Sequence, residues 1–427
     1  MSTNAEIQPC WDVLVAGGGA AGLMASISAA EAGARVLVLE KNARPGVKIL
    51  MSGGSRCNIT HHCDNRGIVS AYGKKGKFLH SPLASFSTRD TISFFESEGV
   101  ATKVEETGKV FPVSNKASDV LQALIQRAER AGVILRCLEP VRNIQAAPNQ
   151  FHVITPNGSH SASTFILTTG GLSFPRCGTT GDGFEFASRL GHSIVPTRPA
   201  LVPLALGDPW VKDLAGITTP DVCLTLSKRT QAGQGERIGT TRGSMLFTHV
   251  GITGPCPLNL TRLMADWNHP EGLALEADFS PERSHEQMNN WIILSARENG
   301  KRSLASLLSD PLPRRLVDSL IGQENSLNCK LSELSKSQRA HAVSAIKTKP
   351  LTILGDLGYA KAEVTSGGVA LEEVDFKTMQ SRIQPRLFLA GEVLDLDGPI
   401  GGFNFQAAWS TGWLAGIHAA RVAKTNR

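Results

Sequence analysis

The hydrophobic pattern of the chain begins with a short apolar run, WDVLVA at residues 11–16, which stops at GGGAAG. The following LMASISAAEAG is built from good helix formers and ends at glycine, and ARVLVLE is a second apolar run ending in Glu40. Strand, glycine turn, helix and strand in that order predict a βαβ unit. Further on, ASDVLQALIQRAERAG predicts a helix with Val120, Leu121, Leu124, Ile125 and Ala128 on one side, followed by the strand-like VILRCL. FHVITPNGSHSASTFILTTGG predicts a β-hairpin around Asn157 and Gly158 that runs into an apolar strand closed by Gly170 and Gly171.

The texture changes near residue 196. IVPTRPALVPLAL, DVCLTLS and GSMLFTHVGITGP are short β-type pieces broken by Pro and Gly. EQMNNWIILSARENGKRSLASLL and SQRAHAVSAIK lack strand alternation and predict a helical cluster. The pattern then returns to β at AEVTSGGVAL and RLFLA and closes on a glycine-flanked helix. The expected organisation is α/β, with no internal repeat.

Composition narrows the class. A chain of 427 residues that is 41% hydrophobic has ample material for two or three cores, and 42 glycines suggest tight turns around a ligand. The start MSTNAEIQPCWD has neither a basic segment nor an apolar core, and no apolar run of membrane-spanning length follows, so a cytoplasmic protein is expected. The net charge of +6 is spread along the chain among acids, which argues for a solvated surface and an anionic cofactor rather than a nucleic-acid partner. Eight cysteines (Cys10, Cys57, Cys63, Cys137, Cys177, Cys223, Cys256 and Cys329) form no CxxC pair, so reduced thiols and no metal are expected.

The chemistry sits in the first glycine turn. Gly17, Gly19 and Gly22 follow a strand and open a helix, and Glu40 closes the next strand. The first glycine allows the turn, the second lets a pyrophosphate approach the backbone, and the third lets helix and strand pack closely; the acid accepts from ribose hydroxyls. The motif alone does not separate FAD from NAD. Its place early in the chain, together with a late piece RLFLAGEVLDLDGPIGGFNFQAAWSTGWLAG, favours FAD. There Gly391 and Glu392 follow a strand, and Gly401 and Gly402 open a helix through Phe403, Asn404 and Gln406, whose N-terminus suits the negative charge of a reduced flavin.

VLVAGGGAAGLMASISAAEAGARVLVLEKN, SGGSRCN, GKVFPVSNKASDV, TTGGLSFPRCGTTGDGF, LFTHVGITGP and AGEVLDLDGPIGGFNFQAAWSTG together resemble the BaiN/RdsA-type NAD(P)/FAD-dependent oxidoreductases, a family that includes aminoacetone oxidases. The likeness runs in order over nearly the whole chain. It implies a discontinuous, Rossmann-like FAD-binding domain of the two-dinucleotide-binding type over residues 1–195 and 360–427, with a β-barrel-like substrate domain (196–280 and 347–359) and a small helical insertion (281–346) between its halves. Carried over by resemblance, the FAD contacts would be Gly17, Gly19, Ala20, Ala21, Gly22, Glu40, Lys41, Lys48, Gly53, Gly54, Arg56, Cys57 and Asn58. Val141 would touch the adenine and Gly170 and Gly171 the adenosine and pyrophosphate, with Gly391, Glu392, Gly402, Phe403 and Asn404 nearer the ring. Two departures stand out: Ser55 replaces the third glycine of SGGGRCN, which is tolerable only where φ stays negative, and Val47 stands where the family often has a basic residue.

Candidate catalytic groups are few. Cys57 and Cys63 are six apart without the spacing of a flavin-linked dithiol, so Cys57 reads as a small packed side chain and His61 and His62 as part of a polar loop. His249 in LFTHVGITGP is a candidate proton donor and Arg176 a candidate for neutralising an anionic substrate, each equally able to serve structure; Asp395 and Asp397 either cap their loop or meet substrate. No second GxGxxG is present, so either NADH or NADPH docks transiently or the substrate itself reduces the FAD. The expected activity is an FAD oxidoreductase on a small-molecule substrate, first an NAD(P)H-linked reductase of an activated C=C or carbonyl compound. The alternatives are an oxidase of a small amine such as aminoacetone and an RNA-binding or RNA-modifying flavoprotein. Neither substrate nor oligomeric state follows from the sequence.

Overall fold

A computed structural model describes residues 11–230, 233–264, 270–321 and 329–425; Cys10 and the start of the chain lie outside them. Two compact units result, Met1–Pro199 with Glu363–Arg427, and Ala200–Ala362.

The first unit is laid on a parallel sheet. Strand β1 (Trp11–Ala16) leads into helix α1 (Ala20–Glu31) and β2 (Val36–Leu39), followed later by β3 (Ile134–Arg136), β4 (Gly158–Leu167) and β5 (Leu387–Leu389). Their spatial order is β5-β4-β1-β2-β3, all parallel, with Val13 opposite both Val36 and Thr164 and Leu387 opposite Phe165. The central strands are apolar on both faces because both faces are covered, as parallel sheets require. The expected hairpin forms, with Thr155 opposite Gly158, and adds antiparallel strands at one end of β4.

Helix α1 is buried almost all round, Ala21 through Ala30 being shielded, so its polar members turn inward: Ser26 and Ser28 hydroxyls donate to backbone carbonyls. It is clasped by the last helix, Phe403–Lys424. A methyl at Gly412 would overlap the Ala21 carbonyl and one at Gly416 the Ala25 carbonyl, so the two helices meet backbone to backbone. The helix Ala117–Arg130 buries Val120, Leu121, Leu124 and Ala128, the stripe its periodicity predicts.

The second unit carries a seven-stranded antiparallel sheet dominated by the long strands Thr218–Thr230 and Gly233–Phe247. Its two end strands, Lys349–Leu351 and Ile353–Asp356, are consecutive in the chain with only Thr352 between them. One residue cannot bridge the width of a flat sheet, so the sheet curls round on itself, which is the barrel-like character expected. The helices His285–Glu298, Leu304–Leu308, Arg314–Ile321 and Lys336–Lys347 occupy the expected helical stretch. They do not form a core of their own. Met288, Ile292, Leu316, Val317 and Ile346 share one apolar cluster with Leu224, Leu226, Leu275 and Phe279 of the sheet.

Substituting Gly416→Ala should cost about 1–3 kcal/mol, because overpacking a fixed backbone contact cannot relax cheaply. Urea unfolding monitored by circular dichroism checks this; an unchanged midpoint would show that the last helix can lift off α1.

Candidate functional site

The first glycine turn is shaped by close backbone approach. At Gly17, where φ is +100°, a methyl would sit 2.7 Å from the Thr168 carbonyl oxygen, and at Gly22 it would overlap the Gly17 carbonyl. Gly19 differs: a methyl there meets no protein atom within 4 Å. Gly19 is also the N-cap of α1 and supplies no side-chain cap, and the first turn of the helix carries no acid. The helix start therefore presents backbone N–H groups and positive dipole to open space, the arrangement that holds a phosphate. Ala20 and Ala21 are the first residues of that turn.

Glu40 is buried beside this opening, accepting from Gly18 N–H (2.7 Å) and Asn42 N–H (2.8 Å). A carboxylate offers about four lone-pair sites, so two remain for ribose hydroxyls. The loop after β3 is stitched to the same segment: Leu138 N–H donates to Asn42 and Glu139 N–H to Glu40. Val141, two residues on, is half-buried against the apolar core. Glu139 anchors that loop from behind by accepting from Thr155 and Asn157. Burial alone would raise its pKa, but those bonds outweigh burial and hold it below the ordinary glutamate value. No local signal marked Glu139.

The Lys48 side chain closes a second part of the site. Its Nζ donates to Glu392 (2.5 Å) and to the Ser173 hydroxyl (2.7 Å), and Glu392 in turn accepts from Ser173 (2.7 Å) and Thr365 N–H (2.8 Å). The Thr365 hydroxyl accepts from Leu172 N–H and Ser173 N–H, close enough that any side chain at Gly171 would strike it. Four distant segments thus meet, which places Lys48, Gly171 and Glu392 together. Gly170 takes φ +74° in the same turn. Beside it, the Thr169 hydroxyl is buried with no hydrogen-bond partner among the described residues.

The segment Val47–Ser55 is broken at Ser52, after which Gly53, Gly54 and Ser55 have φ of +56°, +67° and +66°. Position 55 does need a positive φ, contrary to the condition under which serine would be harmless. Cys57 is also left-handed (φ +58°) and is fully shielded inside the apolar core. Burial pushes its thiol up to about 12, so no thiolate forms near neutrality. Arg56 is engaged elsewhere: it pairs with Glu105 at 2.7 Å and lies over the Phe111 ring. Lys41 is held by Asp182 and Thr180.

Asn58, with its amide oriented to satisfy its neighbours, donates to the Val110 and Thr60 carbonyls and accepts from Gly402 N–H. It ties the SGGSRCN loop to the start of the last helix. His61 does the same, donating from Nδ1 to the Gly401 carbonyl (3.1 Å) and stacking on Phe403 at 4.6 Å. Asn404 bridges Gly398 N–H, at 2.7 Å, and the Gly398 carbonyl, so it shapes the loop before the helix. Gln406, wholly buried, accepts from Thr60 and Thr91 and donates to Ser410. Asp395 and Asp397 hold Lys75 at 2.6 and 3.1 Å and accept from Gly367 N–H and the Ser366 hydroxyl, so both support their loop. Gly391, at φ +77°, leaves room for Ala21.

The two catalytic candidates fall in different units. Arg176 is exposed in the short turn Pro175–Cys177 of the first unit. His249 is exposed between strands Gly233–Phe247 and Gly251–Thr253 of the second.

The sequence profile of the HI0933-like protein Rossmann domain matches residues 11–418. The chain belongs to the HI0933-like family. It is an FAD-dependent oxidoreductase, and the resemblance drawn from SGGSRCN and the glycine-flanked tail stands. Within the family it is similar to the Escherichia coli (strain K12) ribosomal RNA dihydrouridine synthase, at 31% identity over 406 residues covering 94% of this chain and 96% of the relative. A relative from Clostridium scindens, 3-dehydro-bile acid delta(4,6)-reductase, is 31% identical over 411 residues, covering 95% and 98%. The fold is shared with E. coli quinol fumarate reductase, with TM-score 0.50 and 15% identity, covering 98% of this chain and 71% of that one. A Haemophilus influenzae relative carries the ribosomal RNA dihydrouridine synthase name at 31% identity, covering 96% of this chain and 98% of its own. The expectation against a nucleic-acid partner therefore has no support from the family. Among the described residues no helix is long and apolar enough to cross a membrane.

Two substitutions check the loop. Ser55→Gly should stabilise the protein by about 0.5–1 kcal/mol in chemical denaturation, since a left-handed serine costs about 1–2 kcal/mol and glycine's extra freedom offsets part of it. A loss of stability would mean that the serine side chain holds the loop. Cys57→Ser should leave flavin absorbance and turnover intact; bound flavin without turnover would restore a redox role to the thiol.

Proposed function

We propose that the protein uses FAD to reduce a carbon–carbon double bond conjugated to a carbonyl group, with NADH or NADPH as the transient hydride source. What carries the FAD part is the open, uncapped start of α1 between Glu40 and the Gly170–Gly171 turn, a cradle in which any side chain at Gly17 or Gly22 would collide. The N–H groups of that turn would hold the pyrophosphate, Glu40 would take the ribose hydroxyls, and the Lys48–Glu392–Ser173–Thr365 network would fix the wall beside them. Hydride exchange at flavin N5 is the chemistry the bound cofactor supplies. The chain's own part is to bind, to orient, and to place a positive helix end where negative charge develops. The last helix starts at Gly402 without a side-chain cap of its own.

The substrate class rests on the relatives. A dihydrouridine synthase adds two hydrogens to a uracil, and a delta(4,6)-reductase removes steroid double bonds, so saturation of an activated C=C is common to both names. A second reading, a uracil in RNA as the substrate, is favoured by the two relatives named for ribosomal RNA. Nothing in the site favours amine oxidation.

Purified protein is expected to show the two visible bands of oxidised flavin, to bleach anaerobically with NADPH or NADH, and to recover its colour on adding a steroid dienone or a uracil-containing RNA. Bleaching by a small amine but by neither nucleotide would replace the reductase reading with the oxidase one.

A further inference from the structure

The charge of the chain is spread out overall, but cations gather in some stretches, and one of these lies beside the site. Residues 61–89 contain five Lys or Arg (Arg66, Lys74, Lys75, Lys77 and Arg89) and three histidines against one acid, Asp64. The structure folds this stretch into three consecutive short helices, Asn65–Ala71, Gly73–Leu79 and His80–Ser85, that pack on one another in the first unit. Their apolar residues, Ile68, Phe78, Leu79 and Leu83, point into the core, which leaves the cations outward.

The acids that could neutralise them are engaged. Asp64 caps its own helix by accepting from Gly67 N–H at 2.8 Å, and Asp90 closes the capping box with Ser87. Asp395 and Asp397 are used on Lys75, the one half-buried lysine of the group. Arg66, Lys74 and Lys77 are exposed, and among the described residues none has a carboxylate within ion-pair distance. A one-sign cluster with no internal counter-charge is the footprint of a polyanion.

The cluster is joined directly to the cofactor cradle. Tyr72, between Arg66 and Lys74, donates to the Phe403 carbonyl at 3.0 Å, Lys75 holds the 395–397 loop, and His61 stacks on Phe403. A strand bound along these helices would therefore pass the Gly401–Gly402 start of the last helix.

We propose that the face presenting Arg66, Lys74 and Lys77 binds the phosphate backbone of an RNA substrate and so brings an unpaired uracil to the flavin site. The assignment rests on the reading of RNA as substrate. It accounts for how a flavin site of ordinary size acts on a large polyanion: the backbone supplies affinity at the rim while only one base enters.

The test uses the full-length flavin-loaded protein and compares it with the triple variant Arg66→Ala, Lys74→Ala, Lys77→Ala. Flavin absorbance and the rate of bleaching by NADPH report that the cradle is intact. Binding of protein-free ribosomal RNA is followed by fluorescence anisotropy from 50 to 300 mM KCl. The wild type should bind with a steep salt dependence, and the variant should lose at least tenfold affinity at 100 mM. The log–log slope should fall by about 2, since each single-strand phosphate contact contributes about 0.7. Equal binding by the variant with flavin retained would overturn this surface and leave the RNA reading standing. No RNA binding by the wild type at 50 mM would sink both, while bleaching and reoxidation by a small enone would still support the reductase. Wild-type binding to vesicles containing phosphatidylglycerol as strong as to RNA, and lost in the same variant, would also overturn the proposal in favour of a membrane surface.

Discussion

The first unit depends on backbone surfaces that touch without side chains between them. Gly22 lets α1 lie on the turn that follows β1, Gly412 and Gly416 let the last helix lie on α1, and Gly391 clears the remaining space beside Ala21. Because α1 is held on these sides, its N-terminal turn has a fixed position and a fixed direction. An uncapped helix end costs stability unless water or a ligand answers its N–H groups. Here that cost is retained where a phosphate would offset it.

The polar groups around this framework divide the labour. Charged residues that the resemblance assigned to cofactor contact are in several cases ion-paired within the chain: Lys48 with Glu392, Lys41 with Asp182, Arg56 with Glu105. They build walls, while backbone N–H groups and Glu40 face the opening. Asn58, His61 and Gln406 join the SGGSRCN loop and its continuation to the start of the last helix. The loop and the tail, about 340 residues apart in sequence, are therefore tied together.

The reduction of an activated double bond needs little more from a protein than this: a bound flavin, an orientation, and a dipole near the growing charge. His249, the candidate proton donor, is exposed in the turn before strand Gly251–Thr253 of the second unit. In the proposed reading, substrate choice rests on what the rim attracts, and the basic face at 61–89 gives the rim a sign.

The sequence by itself determined the parallel sheet, the glycine turn, Glu40 and the family. These are encoded locally, through two-residue and 3.6-residue periodicities and glycines at fixed spacing, so they can be read from short windows. The hairpin at Asn157 and Gly158 and the buried stripe of Ala117–Arg130 are of the same kind. Only the tertiary structure decided that Ser55 adopts a left-handed backbone and that Cys57 is sealed in the core. It also decided that the helical stretch shares the sheet's core, and that Lys48 finds Glu392 across 344 residues. Each of these is a property of neighbours distant in the chain, and a side chain's charge or size does not say which neighbour it will meet. The basic segment at 61–89 lay between the two cases. Its residues were visible in the sequence, but only the structure showed Asp395 and Asp397 spent on Lys75 and the remaining cations facing outward.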